Sequence, residues 1–337
     1  MNDVVHIFNV SPDPTYLAAH ALATEIMPVS RLQYNCDILK IKSIYSIPEI
    51  PSRFDKSFNQ ISVERAQNIW KNHQQNNSVN ILWSGGIDST MAVVALLIES
   101  PSTGILNIYC NMNSIYENKF FYIYLLKQKN VKLRNASLLP ENEKFDLITG
   151  DLGDQIFGSE MLYKINHLFG FDALSESYDK IIPKLFAARC GEVMGGEMYK
   201  RYLPIIDSCI FPIKTAFDFI WWWNFTQKWQ GVKFRKQCFL NPNHLAVHFF
   251  DSTEYQLWSI FFHDQKIGKK IETYKQPAKE FIFSFDKNES YLLNKKKLGS
   301  PYGSHIYYFG LYEDGTQIKT WTECQQTLSR LALHGTN

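Results

Sequence analysis

The stretch SVNILWSGGIDSTMAVVALL, residues 78–97, combines three structural signals in a row. The apolar run VNILW is typical of a buried strand, and the segment that starts at residue 90 has the length and composition of a helix. Between them, Gly85 and Gly86 form a turn that permits positive φ and close approach of the backbone to a ligand. The N–H groups and dipole of the following helix favour negative charge, so this stretch predicts a phosphate site.

The side chains of the turn make the prediction more specific. Ser84, Ser89 and Thr90 supply hydroxyl donors, whereas Asp88 places a carboxylate where phosphates would sit. Two like charges can share that space only with a cation between them, so Asp88 predicts Mg²⁺. The alternative is an ordinary strand-to-helix turn in which Asp88 caps the helix, but the complete SGG-x-DST pattern after an apolar strand favours the phosphate site.

Strands and helices alternate through the first half of the chain. The pattern predicts helices at 62–75, 90–100 and 117–128 and strands at 79–83, 105–111, 131–137 and 145–150. Strands separated by helical segments favour a parallel sheet with crossover helices, so we expect a doubly wound, mostly parallel α/β fold. Beyond residue 160 the periodicity is mainly helical, and a hairpin is predicted around Glu313.

This pattern suggests three parts of the chain. Residues 1–61 are expected to form a small mixed α/β region with strands at VVHIFNV and ILKIKSIYSI and a helix at TYLAAHALATEIM. Residues 62–160 would form the α/β core. Residues 161–337 would form a mainly helical lobe that completes the active site.

Composition and charge argue against several classes of protein. The 337 residues carry a net charge of +2, too small for general nucleic-acid binding. The 6 cysteines form no CxxC pair, which predicts reduced thiols and a cytoplasmic location, and MNDVVHIFNV does not resemble a signal peptide. The longest apolar segment, 210–225, is broken by Lys214 and Asp218, so we expect no membrane span.

The motif SGGIDST resembles the pyrophosphate loop of the N-type ATP pyrophosphatases, which include asparagine, β-lactam, GMP, NAD and tRNA lysidine synthetases. Members cleave ATP between the α- and β-phosphates and adenylate a substrate oxygen. The resemblance implies that the turn holds the leaving pyrophosphate, through Ser84, Gly85, Gly86, Ser89 and Thr90, and that ATP and Mg²⁺ are the cofactors.

A second motif narrows the resemblance to asparagine synthetase. FDLITGDLGDQIFGS, residues 145–159, is similar to the family's SGEGSDE segment followed by Phe-Gly, with Thr149 and Gly150 matching Ser-Gly. Asp154 matches the aspartate that is the second Mg²⁺ ligand in the family. The sequence departs from the motif at three positions, where Asp151 replaces Glu, Leu152 replaces Gly and Gln155 replaces Glu.

Two further segments resemble the family more weakly. NKKKLGSP, residues 294–301, resembles R-x-K-x-G-F, so Lys295 and Lys297 match the family's Arg and Lys, and Lys297 would stabilise the departing pyrophosphate. The alternative is a solvated lysine run. HLAVHFFDSTEYQLW, residues 244–258, resembles the HPFLD segment, with Asp251 as its aspartate.

The resemblance also assigns the remaining positions of the site. Leu82, Tyr109 and Gly150 lie where the family's adenosine pocket falls, and Asp151 would face the reacting group. A competing hypothesis is that His244 and His248, four residues apart, face one side of a helix as zinc ligands; the absence of a HExxH pattern makes a packing role the better interpretation.

The resemblance implies an AMP- and pyrophosphate-forming ligase that adenylates a carboxylate or carbonyl oxygen for attack by an amine or ammonia. The acceptor would be a small molecule, a peptide or a nucleotide. Met1 is followed by Asn2, so the N-terminal cysteine of glutamine-dependent members is not expected here, and the amine would be free ammonia, part of the substrate, or supplied by a separate protein.

Three alternatives stay open on the sequence. One is an intramolecular cyclase of the β-lactam or lasso-peptide type, and another is a synthetase that modifies a nucleobase or nucleotide. The third is a non-catalytic, nucleotide-binding subunit of a complex, which the changes at Asp151 and Gln155 favour and the retained Asp88 and Asp154 oppose.

Overall fold

A computed structural model describes residues 30–32, 45–140, 143–233 and 244–295, and the backbone of strands at 311–313 and 316–319. The elements predicted near the N-terminus lie almost entirely outside these ranges, as does Lys297. Contacts divide the chain into two compact units. The first comprises Pro48–Phe157 and Lys236–Leu298, and the second comprises Met1–Ile47, Gly158–Arg235 and Gly299–Asn337.

The first unit is built on a five-stranded parallel sheet, which places the chain in the α/β class. Its strands are β1 (Ser78–Leu82), β2 (Ile105–Cys110), β3 (Val131–Asn135), β4 (Phe145–Thr149) and β5 (His244–His248). Their order, β3-β2-β1-β4-β5, reverses direction between β1 and β4 as in a doubly wound sheet. Such a reversal opens a crevice at the carboxyl ends of the two strands, where open α/β sheets bind ligands.

The helices of both units are α1 (Phe58–Asn72), α2 (Ile87–Ile98), α3 (Met112–Glu117), α4 (Lys119–Leu125), α5 (Gly153–Phe157), α6 (Met161–Phe169), α7 (Tyr178–Cys190), α8 (Glu192–Tyr202), α9 (Ala216–Gln227), α10 (Thr253–Phe261), α11 (Gln276–Asp286) and α12 (Glu289–Asn294). The predicted strands and helices of the α/β core are therefore confirmed, with boundaries shifted by a few residues. Within the residues described, no helix is long and apolar enough to span a bilayer.

Capping side chains explain where the boundaries differ from the prediction. Helix α1 begins four residues earlier than expected because Ser57 and Gln60 form a capping box. The helix predicted at 117–128 is α4, which starts at Lys119 because the Asn118 side chain accepts a hydrogen bond from the Phe121 N–H. Helix α3, which precedes it, was not predicted. The helical pattern at 177–194 is divided at Gly191, whose φ is 85°.

The described part of the second unit is mainly helical, as predicted beyond residue 160. Helix α9 is buried at every position except Asp218, including Trp221, Trp222 and Trp223, because large apolar side chains lie all around it. Strands Leu311–Glu313 and Thr316–Lys319 pair antiparallel, which confirms the predicted hairpin.

Helix α11 lies against α2 in the first unit and carries a buried lysine, Lys279. Lys279 donates a hydrogen bond to the Glu272 carbonyl oxygen. Burial lowers the pKa of Lys279 to about 8, because desolvation penalises its charged form.

We predict that Lys279→Met raises the free energy of unfolding at pH 7 by about 1 kcal/mol, because the variant no longer buries an ammonium. The lysine of the folded protein loses its proton near pH 8, whereas that of the unfolded chain keeps its proton up to about pH 10.5. The wild type therefore gains stability as pH rises through this window, and the advantage of the variant should shrink. Urea denaturation at pH 7, 8.5 and 10 tests this, and an advantage that grows with pH would contradict it.

Candidate functional site

Both sequence motifs lie at the carboxyl edge of the sheet, on neighbouring strands. Leu82, the last residue of β1, is in register with Thr149, the last residue of β4. The glycine turn of residues 83–86 follows β1, and the turn of residues 150–152 follows β4. The strand order therefore brings together two segments that are more than 60 residues apart in the chain.

The first turn is a compact, internally hydrogen-bonded structure. Gly85 has a φ of 83°, and an added Cβ would overlap the Ser114 carbonyl oxygen, so glycine is required there on both counts. The Ser89 hydroxyl accepts a hydrogen bond from the Ser84 N–H at 3.1 Å and lies 2.9 Å from the Ser84 hydroxyl. Helix α2 begins at Ile87, so the N–H groups of its first turn point to this end of the sheet.

Of the predicted hydroxyl donors, Thr90 lies behind the turn. It is fully buried, and its Oγ1 accepts a hydrogen bond from the Trp83 indole at 3.0 Å. Tyr291 is also buried, and burial raises the pKa of this phenol because desolvation penalises its charged form. Thr90 therefore fixes the start of α2, while Ser84, which is exposed, faces solvent.

The second turn contacts the first through its glycines. A Cβ on Gly150 would lie 2.5 Å from the Ser89 nitrogen, and one on Gly153 would overlap the Asp88 carboxylate. Thr149 holds the base of this turn, because its hydroxyl lies 2.7 Å from His248 Nδ1 and accepts a hydrogen bond from the Asp151 N–H at 3.3 Å. Asp151 is partly exposed at the tip.

The two predicted metal ligands, Asp88 and Asp154, meet through the ammonium of Lys275. Lys275 Nζ forms ion pairs with Asp88 Oδ2 and, at 2.8 Å, with Asp154 Oδ1. Tyr274 also donates a 3.4 Å hydrogen bond to Asp154 Oδ1. The Lys275 side chain is 1% exposed, and those of Asp88 and Asp154 are 19% and 21% exposed, so this is a largely desolvated cluster of charges.

Sequence reasoning missed Lys275. It precedes α11 in a left-handed conformation, with φ of 61°, which is uncommon for a residue other than glycine. It lies 187 residues from Asp88 in the chain, within no lysine run and no motif. The only local signal is Pro277, which marks the start of a helix and carries no information about the partner of the lysine.

Lys295, predicted to match the family's Arg, lies close to the glycine turn through Glu117. Lys295 Nζ is 3.0 Å from Glu117 Oε1. A Cβ on Gly86 would lie 3.5 Å from that same oxygen, so Glu117 borders the turn. Glu117 ends helix α3 and was not predicted as a site residue, since a lone glutamate in a helical segment is ordinarily a solvated one.

The residues expected to face adenosine lie at the same end of the sheet. Leu82 is in register with Tyr109, and both belong to an apolar cluster with Phe145 and Leu147. The Tyr109 ring stacks on Phe145 with centroids 6.1 Å apart and is 6% exposed. The ring therefore packs into the sheet core, while Leu82 is partly exposed at its margin.

The zinc hypothesis for His244 and His248 is wrong in its geometry, because both residues lie on strand β5 and not on a helix. His244 Nε2 lies 2.7 Å from the Pro140 carbonyl oxygen, and His248 lies by Thr149. The expected packing role fits these contacts. Asp251 follows in the turn after β5, and its charge acts on the half-buried Arg65, which donates to the His248 and Phe249 carbonyl oxygens.

The carboxylates of Asp88 and Asp154 are oxygen ligands of the kind that Mg²⁺ prefers, and both lie at one point. The space between them is filled by an ammonium. Across the described ranges there is no group of three or more His, Cys, Asp or Glu side chains placed to hold a metal. A divalent ion at this point would therefore need Lys275 to move aside and ligands from outside the protein.

We predict that Gly153→Ala destabilises the protein by about 1–3 kcal/mol, because the new methyl group overlaps the Asp88 carboxylate and forces α2 and α5 apart. Gly196→Ala is the matched control: Gly196 lies in helix α8, and a Cβ there meets open space. This control should be neutral or stabilising by about 0.5–1 kcal/mol. Equal free energies of unfolding for the two variants in urea would show that the turns do not pack closely.

No family model matches this chain, and no curated protein sequence matches it significantly. A functional assignment therefore depends on the residues and geometry of the carboxyl edge.

Proposed function

We propose that this chain binds ATP with Mg²⁺ at the carboxyl edge of the sheet and adenylates a carboxylate or carbonyl oxygen, which an amine or ammonia then attacks. The observation that carries the proposal is the meeting of Asp88 and Asp154 on one cationic group, from turns that follow neighbouring strands. A capping role for Asp88 alone would not require a second carboxylate at the same point, whereas a divalent cation favours two.

The residues of the first turn would hold the pyrophosphate part of ATP. The N–H groups at the start of α2, together with the Ser84 hydroxyl, can donate to phosphate oxygens, and each hydrogen bond to a charged oxygen contributes about 1.5–3 kcal/mol. Ser89 shapes the turn through its hydrogen bonds to Ser84 and Gly86. Glycine at 85 and 86 keeps the backbone accessible.

Asp88 and Asp154 would hold Mg²⁺, which when bound neutralises phosphate charge and polarises the phosphoryl oxygens. The chain itself positions the groups around the α-phosphate. Thr149 and His248 fix the backbone of the second turn, so that Asp151 stands at its tip, where an acceptor or amine would approach. Lys295, oriented by Glu117, places a positive charge beside the first turn, on the side where pyrophosphate would leave.

The closed Asp88–Lys275–Asp154 cluster also favours a second candidate, a non-catalytic subunit in which this cluster is a structural ion pair. Removing one member of a buried ion pair destabilises a protein strongly because a buried charge is left uncompensated. In that case the substitutions below would lower stability without any exchange activity to lose. An intramolecular cyclase and a nucleotide-modifying synthetase share the proposed chemistry and differ only in the acceptor.

We predict exchange of labelled pyrophosphate into ATP in the presence of the correct acceptor, and pyrophosphate release over a panel of carboxylic acids, peptides and nucleotides with amines. Asp88→Asn and Asp154→Asn should each lower the exchange rate about 100-fold or more, because each loses a charge that the phosphate-bound cation needs.

Asp146→Asn is the matched control for these variants. Asp146 is a carboxylate in β4 whose Oδ2 lies 2.7 Å from His73 Nδ1, but it stands toward the amino end of the strand. This control should retain the exchange rate of the wild type. Absence of ATP binding by calorimetry, together with no pyrophosphate release from any acceptor, would count against the proposed function and favour the structural ion pair.

A further inference from the structure

Lys275 is placed as an internal cation. Its ammonium contacts both carboxylates and lies 5.5 Å and 5.9 Å from the ring centroids of Tyr274 and Phe157. Its backbone N–H donates to the Lys266 carbonyl oxygen at 3.0 Å, which fixes the left-handed residue from which the side chain extends. The chain therefore presents a positive charge at the point that joins the two turns.

The cluster brings two carboxylates onto one ammonium in a largely desolvated place. A divalent ion carries twice the charge of the ammonium, so the two carboxylates attract one. Such an ion can enter only if the ammonium leaves, and a buried ammonium without an anion is strongly unfavourable.

A free metal ion and a metal–nucleotide complex differ in what they offer to the displaced lysine. Free Mg²⁺ supplies no new anion, so the ammonium would be left unpaired. A nucleotide held at the first turn brings phosphate oxygens next to Asp88, and the four-carbon stem of a lysine can turn toward them without backbone movement.

We infer that Lys275 keeps the Asp88–Asp154 pair closed to free divalent cations, so that the metal enters only together with the phosphates of a nucleotide, which take over the ammonium. This inference rests on the proposed function for its nucleotide part. Lys275 is on this basis a positioning residue that sets the order of binding. It also keeps the two turns together while no nucleotide is bound.

The test uses Mn²⁺ as the probe, with binding followed by electron paramagnetic resonance in the absence of nucleotide. The wild type should bind no Mn²⁺ at the pair, whereas Lys275→Met should bind it at least tenfold more tightly, and this gained site should disappear in the Lys275→Met/Asp88→Asn double variant. In thermal unfolding, Mg²⁺ should raise the Tm of Lys275→Met by several degrees and leave the Tm of the wild type unchanged. Lys279→Met, which removes the buried lysine one helical turn after Lys275, is the control: its Mn²⁺ binding and its Tm shift on addition of Mg²⁺ should equal those of the wild type.

Two results would overturn the inference: tight binding of free Mn²⁺ by the wild type, or a Lys275→Met protein that gains neither the Mn²⁺ site nor the Tm shift. The wild-type measurement stands even if Lys275→Met does not fold. Neither result depends on exchange activity. If Lys275→Met and the wild type do not differ in Mn²⁺ binding while exchange of pyrophosphate is observed, only this inference is wrong. If they differ as expected but no nucleotide binds, the proposed function is wrong instead.

Discussion

Asp88 and Asp154 lie close enough to bind the same ammonium group, and at that separation their negative charges repel each other. Lys275 offsets that repulsion, and the arrangement of the carboxyl edge depends on it. Gly153 lies against the Asp88 carboxylate, and Gly150 lies against the start of α2. Both contacts require the two turns to be held together. The geometry that makes the edge a candidate for ATP is thus the geometry that this ion-pair cluster stabilises.

The sequence predicts the α/β core well because its signals are local. The apolar runs of β1, β2 and β4 are short, nearly continuous and separated by helices, which is the pattern of a buried parallel sheet. Turns that follow neighbouring parallel strands meet at one edge, so the approach of Asp88 and Asp154 could also be expected. Local capping sets helix boundaries that the apolar pattern does not predict, as at Asn118, whose side chain starts α4 and separates it from the unpredicted α3.

The parts of the site that the sequence does not predict depend on contacts between distant segments. Lys275, Glu117 and His248 reach the edge only through packing of α11, α3 and β5, and none has a spacing that relates it to the two turns. The spacing of His244 and His248 also shows why periodicity alone can mislead. Residues four apart share one face of a strand as well as one face of a helix. Only the pairing of β5 with β4 shows that this segment is a strand.

The three departures from the asparagine synthetase motif have different physical meanings. Gln155 is 3% exposed, so a neutral amide there avoids the cost of burying the glutamate of the motif. Leu152 has a φ of 75° where the motif has glycine, and burial of its side chain offsets part of that strain. Asp151 alone is partly exposed, at the tip of the turn. Two of the changes therefore concern the interior of the protein, and the choice of acceptor in the proposed reaction falls to Asp151, whose shorter side chain leaves more room above the turn than a glutamate would.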